Sequence, residues 1–187
     1  AAAMAADSLW KIDKTIGVTV VTSGPGATNL ITGIACSYFD SIPTIHITGQ
    51  VNQNEKKIYQ GASVRQAGFQ ETNIVDMVKP ITKYAVQVTS VDELKLELAK
   101  AYEIAISGRM GPVLIDVPMD VQQADAGSSI ILNNLKLVTM DNEVKDNIRH
   151  LISNFFKGSQ RPLVLFGAGV GLADQSKSVI KFIESNA

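Results

Sequence analysis

Pro112–Val117 reads PVLIDV, six residues that are apolar except for one aspartate, with Gly111 before them and Pro118 after. A strand with one wet face alternates apolar and polar residues. A near-continuous apolar run belongs to a strand covered on both faces, and in practice that means a parallel sheet between two layers of helices. The rest of the chain must supply those helices and the other strands.

It does. Gly17–Val21 and Pro43–Thr48 are strand candidates, as is Tyr84–Val88, each short and rich in β-branched residues. Between them lie helical segments: Ala27–Phe39, a short one at Thr72–Val78, and Ser90–Ser107. In the last of these, Ser90 and Glu93 have capping-box spacing, Leu94, Leu98, Ala101 and Ala105 form an apolar stripe, and Gly108 ends the helix. The opening AAAMAADSLWKID also reads as a helix, with Ala2, Ala5, Ala6, Leu9 and Trp10 on one face and no capping residue ahead of it. It lacks the basic start and cleavage pattern of a signal peptide and looks like an element already under way, as in a fragment. The polar stretch Gln50–Phe69 shows little periodicity. The expected fold is therefore α/β, a mostly parallel sheet with helices on both faces.

The pattern changes after Pro118. Residues 123–142 read as a linker. A helix over Glu143–Phe156 follows, then RPLVLFGAGVGLAD, which predicts a strand, a glycine-rich turn and a helix start.

The formal net charge of −1 carries no basic stripe, which argues against a nucleic-acid partner. No apolar run approaches the roughly 18–20 residues of a membrane span. The single cysteine, Cys36, excludes an internal disulfide framework and fits a reducing, cytoplasmic setting.

The chemistry-bearing candidates are few. Gly24-Pro25-Gly26-Ala27-Thr28-Asn29 turns a strand into a helix; proline suits a first helical turn, and glycines let a flat ligand approach the backbone. Asn29, read on that first turn, offers two donors and an acceptor. The turn has two of the three glycines of a dinucleotide fingerprint, and Glu55 lies too far on for the usual ribose contact. Gly167–Gly171 is spaced G-x-G-x-G and reads as a structural turn. Neither turn is a Walker loop. His46 lies mid-strand, as a packed histidine would, and His150 reads as solvated. Cys36 reads as packing, and no His, Asp and Glu set has metal-ligand spacing. Gly68-Phe69-Gln70-Glu71 stands out: a helix cap would explain Glu71 but not Phe69 and Gln70.

Three stretches, VVTSGPGATNLITGIACSYFDSIPTIHITGQV, GFQETNIVDMVKPITKYAVQV and AISGRMGPVLIDVPMDVQ, together resemble the pyrimidine-binding (Pyr) domain of thiamine-diphosphate enzymes, nearest the acetolactate (acetohydroxyacid) synthase branch. The resemblance covers about residues 1–122. RPLVLFGAGVG resembles the opening of the family's Rossmann-like central domain, which would place its incomplete start at residues 143–187. It implies thiamine diphosphate with Mg²⁺, a 2-oxo acid substrate such as pyruvate, decarboxylation followed by carboligation, and a site shared between subunits of a homodimer or tetramer. Gly24, Pro25, Gly26 and Asn29 would meet the aminopyrimidine. Phe69 and Gln70 would face the reacting carbon and substrate. Glutamine does not titrate, so it orients rather than shuttles protons, which favours carboligation over simple decarboxylation.

The departures also have consequences. The family's activating glutamate falls just before AAAMAA, and its Gly-Asp-Gly diphosphate and Mg²⁺ motif has no counterpart here. FAD, which acetohydroxyacid synthases bind in the central domain, is not supported by these residues. The segment NQNEKKIYQGASVRQA is longer than the equivalent loop of the synthases, which leaves the substrate open. The isolated chain is expected to be inactive. Three rivals remain at this level: another 2-oxo acid decarboxylase or carboligase, a Pyr-like regulatory or structural module without chemistry, and a nicotinamide-binding α/β domain.

Overall fold

In the computed structural model, which describes residues 1–58, 64–66, 68–127 and 142–186, all six positions of the strand Val113–Pro118 are buried. It pairs on both sides. Four strands, β1 (Gly17–Val21), β2 (Thr44–Gln50), β3 (Tyr84–Gln87) and β4 (Val113–Pro118), make an all-parallel sheet in the order β1-β2-β4-β3. Every connection is consequently a crossover, and helices fill both faces.

Side chains of β4 alternate between two cores. Val113, Ile115 and Val117 face Ala101 and Ala105 of α6 (Val91–Ile106). Leu114 faces the other way, toward Ala3 of α1 (Ala2–Asp13), Ile34 of α3 (Ile31–Asp40), and Ile74 and Val78 of α5 (Ile74–Val78). Fully burying one such side chain contributes about 1.5–3 kcal/mol.

The capping of α6 follows the sequence with one shift. Glu93 N–H donates to Ser90 Oγ at 3.2 Å, as expected, but the Glu93 carboxylate accepts from Thr89, both from its hydroxyl at 2.6 Å and from its N–H at 2.7 Å. The hydroxyl bond first, then the backbone bond, hold that carboxyl below its usual range. Gly108 follows the helix at φ 55°, as the stop signal requires. Lys83 Nζ donates to the carbonyls of Ile104 and Ser107, the latter at 2.6 Å, placing a cation where the helix dipole is negative.

Four expectations need correction. The buried face of α1 is Ala3, Ala6 and Asp7, while Leu9 is exposed. The reason is close backbone approach. A Cβ on Gly17 would sit 2.4 Å from Ala6 Cα, and one on Gly33 would sit 2.4 Å from Ala3 Cβ, so the packed edge needs alanines and a short polar residue rather than large apolar ones. Asp7 there accepts from Ser37 Oγ at 3.0 Å and pairs with Lys11 at 2.7 Å.

The Ala27–Phe39 helix is interrupted. A single turn, α2 (Pro25–Thr28), tightens where Leu30 N–H bonds Ala27 O at 3.0 Å, and α3 starts afresh at Ile31. Two short helices lie where no periodicity was visible, α4 (Gln53–Ile58) and α7 (Met119–Gln123). Gln53 and Asp120 bind each other across them, at 2.9 Å between Nε2 and Oδ2.

The chain divides into two compact units, Ala1–Thr139 and Met140–Ala187. The second contains α8 (Asn142–Gly158), α9 (Gly169–Leu172) and α10 (Ser176–Asn186). Phe156 and Phe182 meet edge to face at 5.7 Å. The strand expected in RPLVLFG does not form: Leu163 and Leu165 are 83% and 90% exposed. A lone apolar stretch cannot satisfy its backbone as a strand, and no other strand is described in this unit to pair with it.

Candidate functional site

In a parallel sheet the strand ends at the carboxyl edge open toward a ligand cleft. Here the ends of β1, β2 and β4 border a cleft of about 800 Å³. Apolar side chains, Val20, Ile47, Val117 and Leu94 among them, share its lining with polar ones that include Thr48, Gln50 and Gln122. Glu55 is the one charged side chain among the described lining residues. Phe69 and Gln70 line the same cleft; Phe69 is 83% exposed.

Gly24 and Gln70 are brought together. Gly24 N-caps α2 at φ 59° and ψ −122°, and a Cβ there would lie 2.7 Å from Gln70 Cβ and 2.8 Å from Gln70 O. Gln70 itself has φ 58°, a left-handed conformation uncommon for a residue with a Cβ. Such strain persists where surrounding structure over-determines it, and it clusters at ligand-binding sites. Gly26 leaves room for Thr22, whose Cγ2 a Cβ would meet at 2.7 Å. Pro25 occupies the first position of α2 and is exposed. Asn29 caps the C-terminal end of that single turn, also exposed, and neither it nor Pro25 lines the cleft.

Behind the Phe69-Gln70 turn lies a polar cluster that the sequence reading did not single out. Asp116, buried in β4, accepts from Thr48 Oγ1 at 2.6 Å, Gln50 Nε2 at 3.0 Å and Gln87 Nε2 at 2.6 Å. Gln50 Nε2 also donates to Thr72 O at 2.8 Å. The aspartate interrupting an apolar run was the available signal, because a buried polar side chain must find hydrogen-bond partners.

His46 is fully buried, as a packed residue would be. Its Nδ1 lies 2.8 Å from Thr19 Oγ1 and its Nε2 2.9 Å from Thr44 Oγ1. Burial pushes its pKa down to about 4, so it is neutral at pH 7. His150 is exposed, and Cys36 is a half-buried free thiol. Among the described residues no group of three or more His, Cys, Asp and Glu could hold a metal ion, and no helix is long and apolar enough to cross a membrane. The Gly167–Gly171 turn follows no strand, so it lacks the context of a dinucleotide fingerprint.

The structure thus sets a glycine-rich turn, opening on a helix, beside a cleft at the carboxyl edge of a parallel sheet. Residues 1–77 match the family described as thiamine pyrophosphate enzyme, N-terminal TPP binding domain. The chain belongs to the thiamine-diphosphate-dependent enzymes. Within them it is similar to acetolactate synthase large subunits over nearly its whole length. It is 35% identical to the acetolactate synthase isozyme 2 large subunit of Escherichia coli (strain K12), across 97% of this chain and 31% of that protein. It is 36% identical to a probable acetolactate synthase large subunit of Methanocaldococcus jannaschii, across 98% of this chain and 30% of that protein. A third relative, the acetolactate synthase large subunit of Lactococcus lactis subsp. lactis, is 33% identical across 96% and 30%. The chain thus spans under a third of the length of these relatives.

Proposed function

We propose that the protein carrying this chain decarboxylates a 2-oxo acid, with pyruvate as the reference substrate, and ligates the remainder to a second carbonyl compound. The observation that carries this reading is the packing of Gly24 on Gln70 at the edge of the cleft. It joins the turn suited to a flat ring with the one glutamine whose strained backbone aims it at the same space.

The residues present fit the pyrimidine end of thiamine diphosphate. Gly24 and Gly26 let a ring approach the backbone, Pro25 adds an apolar surface, and Asn29 would supply polar contact in the assembled enzyme. When bound, the cofactor supplies an electron sink for the electron pair left by departing CO₂. Phe69, exposed in this chain, would shield that space from water once a second subunit covers it. Gln70 donates a hydrogen bond to a carbonyl oxygen and holds its orientation, without taking up or releasing a proton. The diphosphate and Mg²⁺ are assigned to residues outside this chain, and no residue here is assigned to FAD. The activity accordingly belongs to the whole protein, which we place in the cytoplasm.

Gln70→Ala in that protein is expected to lower carboligation about tenfold, the loss of one hydrogen bond made in a water-excluded site. The melting temperature should stay within a degree or two, because Gln70 sits on a turn at a cleft rather than in a core. Steady-state rates and a melting curve test this together. An unchanged rate removes Gln70 from the site.

Self-association is the second part of the proposal. Val18 and Val20 on β1, Phe39 and Phe69 are all more than half exposed, an apolar surface suited to a second subunit. A dimer is expected in sedimentation at tens of micromolar, roughly where weak interfaces populate. A monomer there would sink this part of the reading.

A further inference from the structure

The cluster behind the turn does more than satisfy a buried carboxylate. In every hydrogen bond described for it the Asp116 carboxyl group accepts, from Thr48, Gln50 and Gln87, so the groups facing it must donate. That requirement fixes which way the Gln50 amide points: Nε2 toward Asp116 at 3.0 Å, with Oε1 left to accept from Val51 N–H at 3.1 Å. The second hydrogen of Nε2 then reaches Thr72 O at 2.8 Å. The same carbonyl accepts from Ile74 N–H at 2.8 Å, and the Thr72 hydroxyl donates to Gln70 O at 3.4 Å. Thr72 is two residues beyond Gln70, whose left-handed backbone is pressed against Gly24.

We propose that Asp116 is a positioning residue for the carboligation site: it orients the Gln50 amide to grip the Thr72 carbonyl, and that grip holds Gln70 in its left-handed conformation facing the cleft. The proposal rests on the reading of Gln70 given above. A left-handed residue with a Cβ needs outside restraint to persist, and this tether supplies it from β4, a buried strand paired on both sides.

Asp116→Asn is the informative variant. It is isosteric, but an amide replaces the carboxyl acceptor facing Gln50 with a weaker acceptor oxygen, or with a donor if the amide is turned the other way. Either way the anchor on Gln50 Nε2 weakens, and its grip on the Thr72 carbonyl loosens. Gln87→Met is the control: it removes another donor to the same carboxylate and leaves the link from Gln50 to Thr72 intact.

Two measurements on the full-length protein decide the matter. The first is amide hydrogen exchange at Glu71 and Ile74, whose N–H groups are bonded within the turn to Gly68 O and Thr72 O. It should quicken at least tenfold in Asp116→Asn and stay within twofold in Gln87→Met. The second is turnover of the 2-oxo acid, where kcat should fall about tenfold in Asp116→Asn with KM within twofold, and Gln87→Met should keep its kcat. A purely structural role would slow both variants alike in proportion to their melting temperatures, and that outcome overturns the proposal, as does unchanged exchange in Asp116→Asn. Faster exchange with unchanged kcat would instead overturn the role given to Gln70. Should Asp116→Asn not fold, Gln50→Glu replaces it, since glutamate keeps the shape and loses both donors.

Discussion

Gly24→Ala is expected to reduce carboligation about a hundredfold while leaving the sheet folded. Two separate effects combine. The backbone at φ 59° and ψ −122° lies in a region that only glycine enters readily, so any side chain there costs about 1–3 kcal/mol. The added methyl also has nowhere to go: it would stand 2.7 Å from Gln70 Cβ and 2.8 Å from Gln70 O, both closer than carbon contacts allow. One of those atoms belongs to the backbone of Gln70, so the turn itself must shift rather than merely change rotamer. A displacement of about 1 Å in a positioned group can cost about a hundredfold in rate. Gly108→Ala separates the two effects. Gly108 has nearly the same φ, 55°, but a Cβ there meets nothing within 4 Å. It should cost stability by a similar amount and leave the rate unchanged. Parallel kcat and melting measurements on both variants give the answer, and a Gly24→Ala enzyme within threefold of wild type would separate Gly24 and Gln70 functionally.

That contrast also shows what the sequence could and could not reveal. Both glycines were legible as turn residues, because strand and helix patterns stop at them. Nothing local says that one of them abuts residue 70, since that contact spans 46 positions and depends on where β2 ends. The sheet was legible for the same local reason: β1 runs over the expected Gly17–Val21, and β2, β3 and β4 fall within two residues of expectation. Helix α6 announced itself through Ser90, Glu93 and Gly108. The failures are tertiary. The face of α1 was only partly right, with Ala6 alone of the expected residues buried, because large apolar residues were favoured, whereas Gly17 and Gly33 demand small ones. Helices α4 and α7 are held by the Gln53 and Asp120 bonds across the fold rather than by periodicity. The stretch Leu163–Leu165 has strand composition but no pairing strand in its unit. At the site, Phe69 and Gln70 were reached through family resemblance, while the Asp116, Gln50 and Thr72 chain required coordinates. Its members are far apart in sequence, and each alone has an ordinary structural explanation.

Acid should weaken this fold through His46 before most carboxylates protonate. The imidazole is fully buried between the hydroxyls of Thr19 and Thr44, and either neutral tautomer satisfies both contacts because a hydroxyl can donate or accept. A proton adds charge where no water reaches, and burial alone lowers the pKa from 6.5 to about 4. The sign follows from proton counting. Above pH 6.5 the histidine is neutral in both folded and unfolded chains, and its contribution to stability is fully present. Between pH 6.5 and pH 4 the unfolded chain binds a proton that the folded chain refuses, so stability falls as pH falls. The full loss is about 3 kcal/mol, from 1.36 kcal/mol per pKa unit, a large share of a domain's total. Carboxylates contribute their own slope at the lower end of this range, so the clean measurement is a difference. His46→Gln keeps hydrogen-bonding capacity and cannot titrate. Its stability from urea melts, subtracted from wild type at each pH between 7 and 4, should change in favour of the variant by about 3 kcal/mol across the window. A flat difference would mean that the imidazole accepts its proton in the folded state, and that the strand pair β1 and β2 opens enough there to hydrate it.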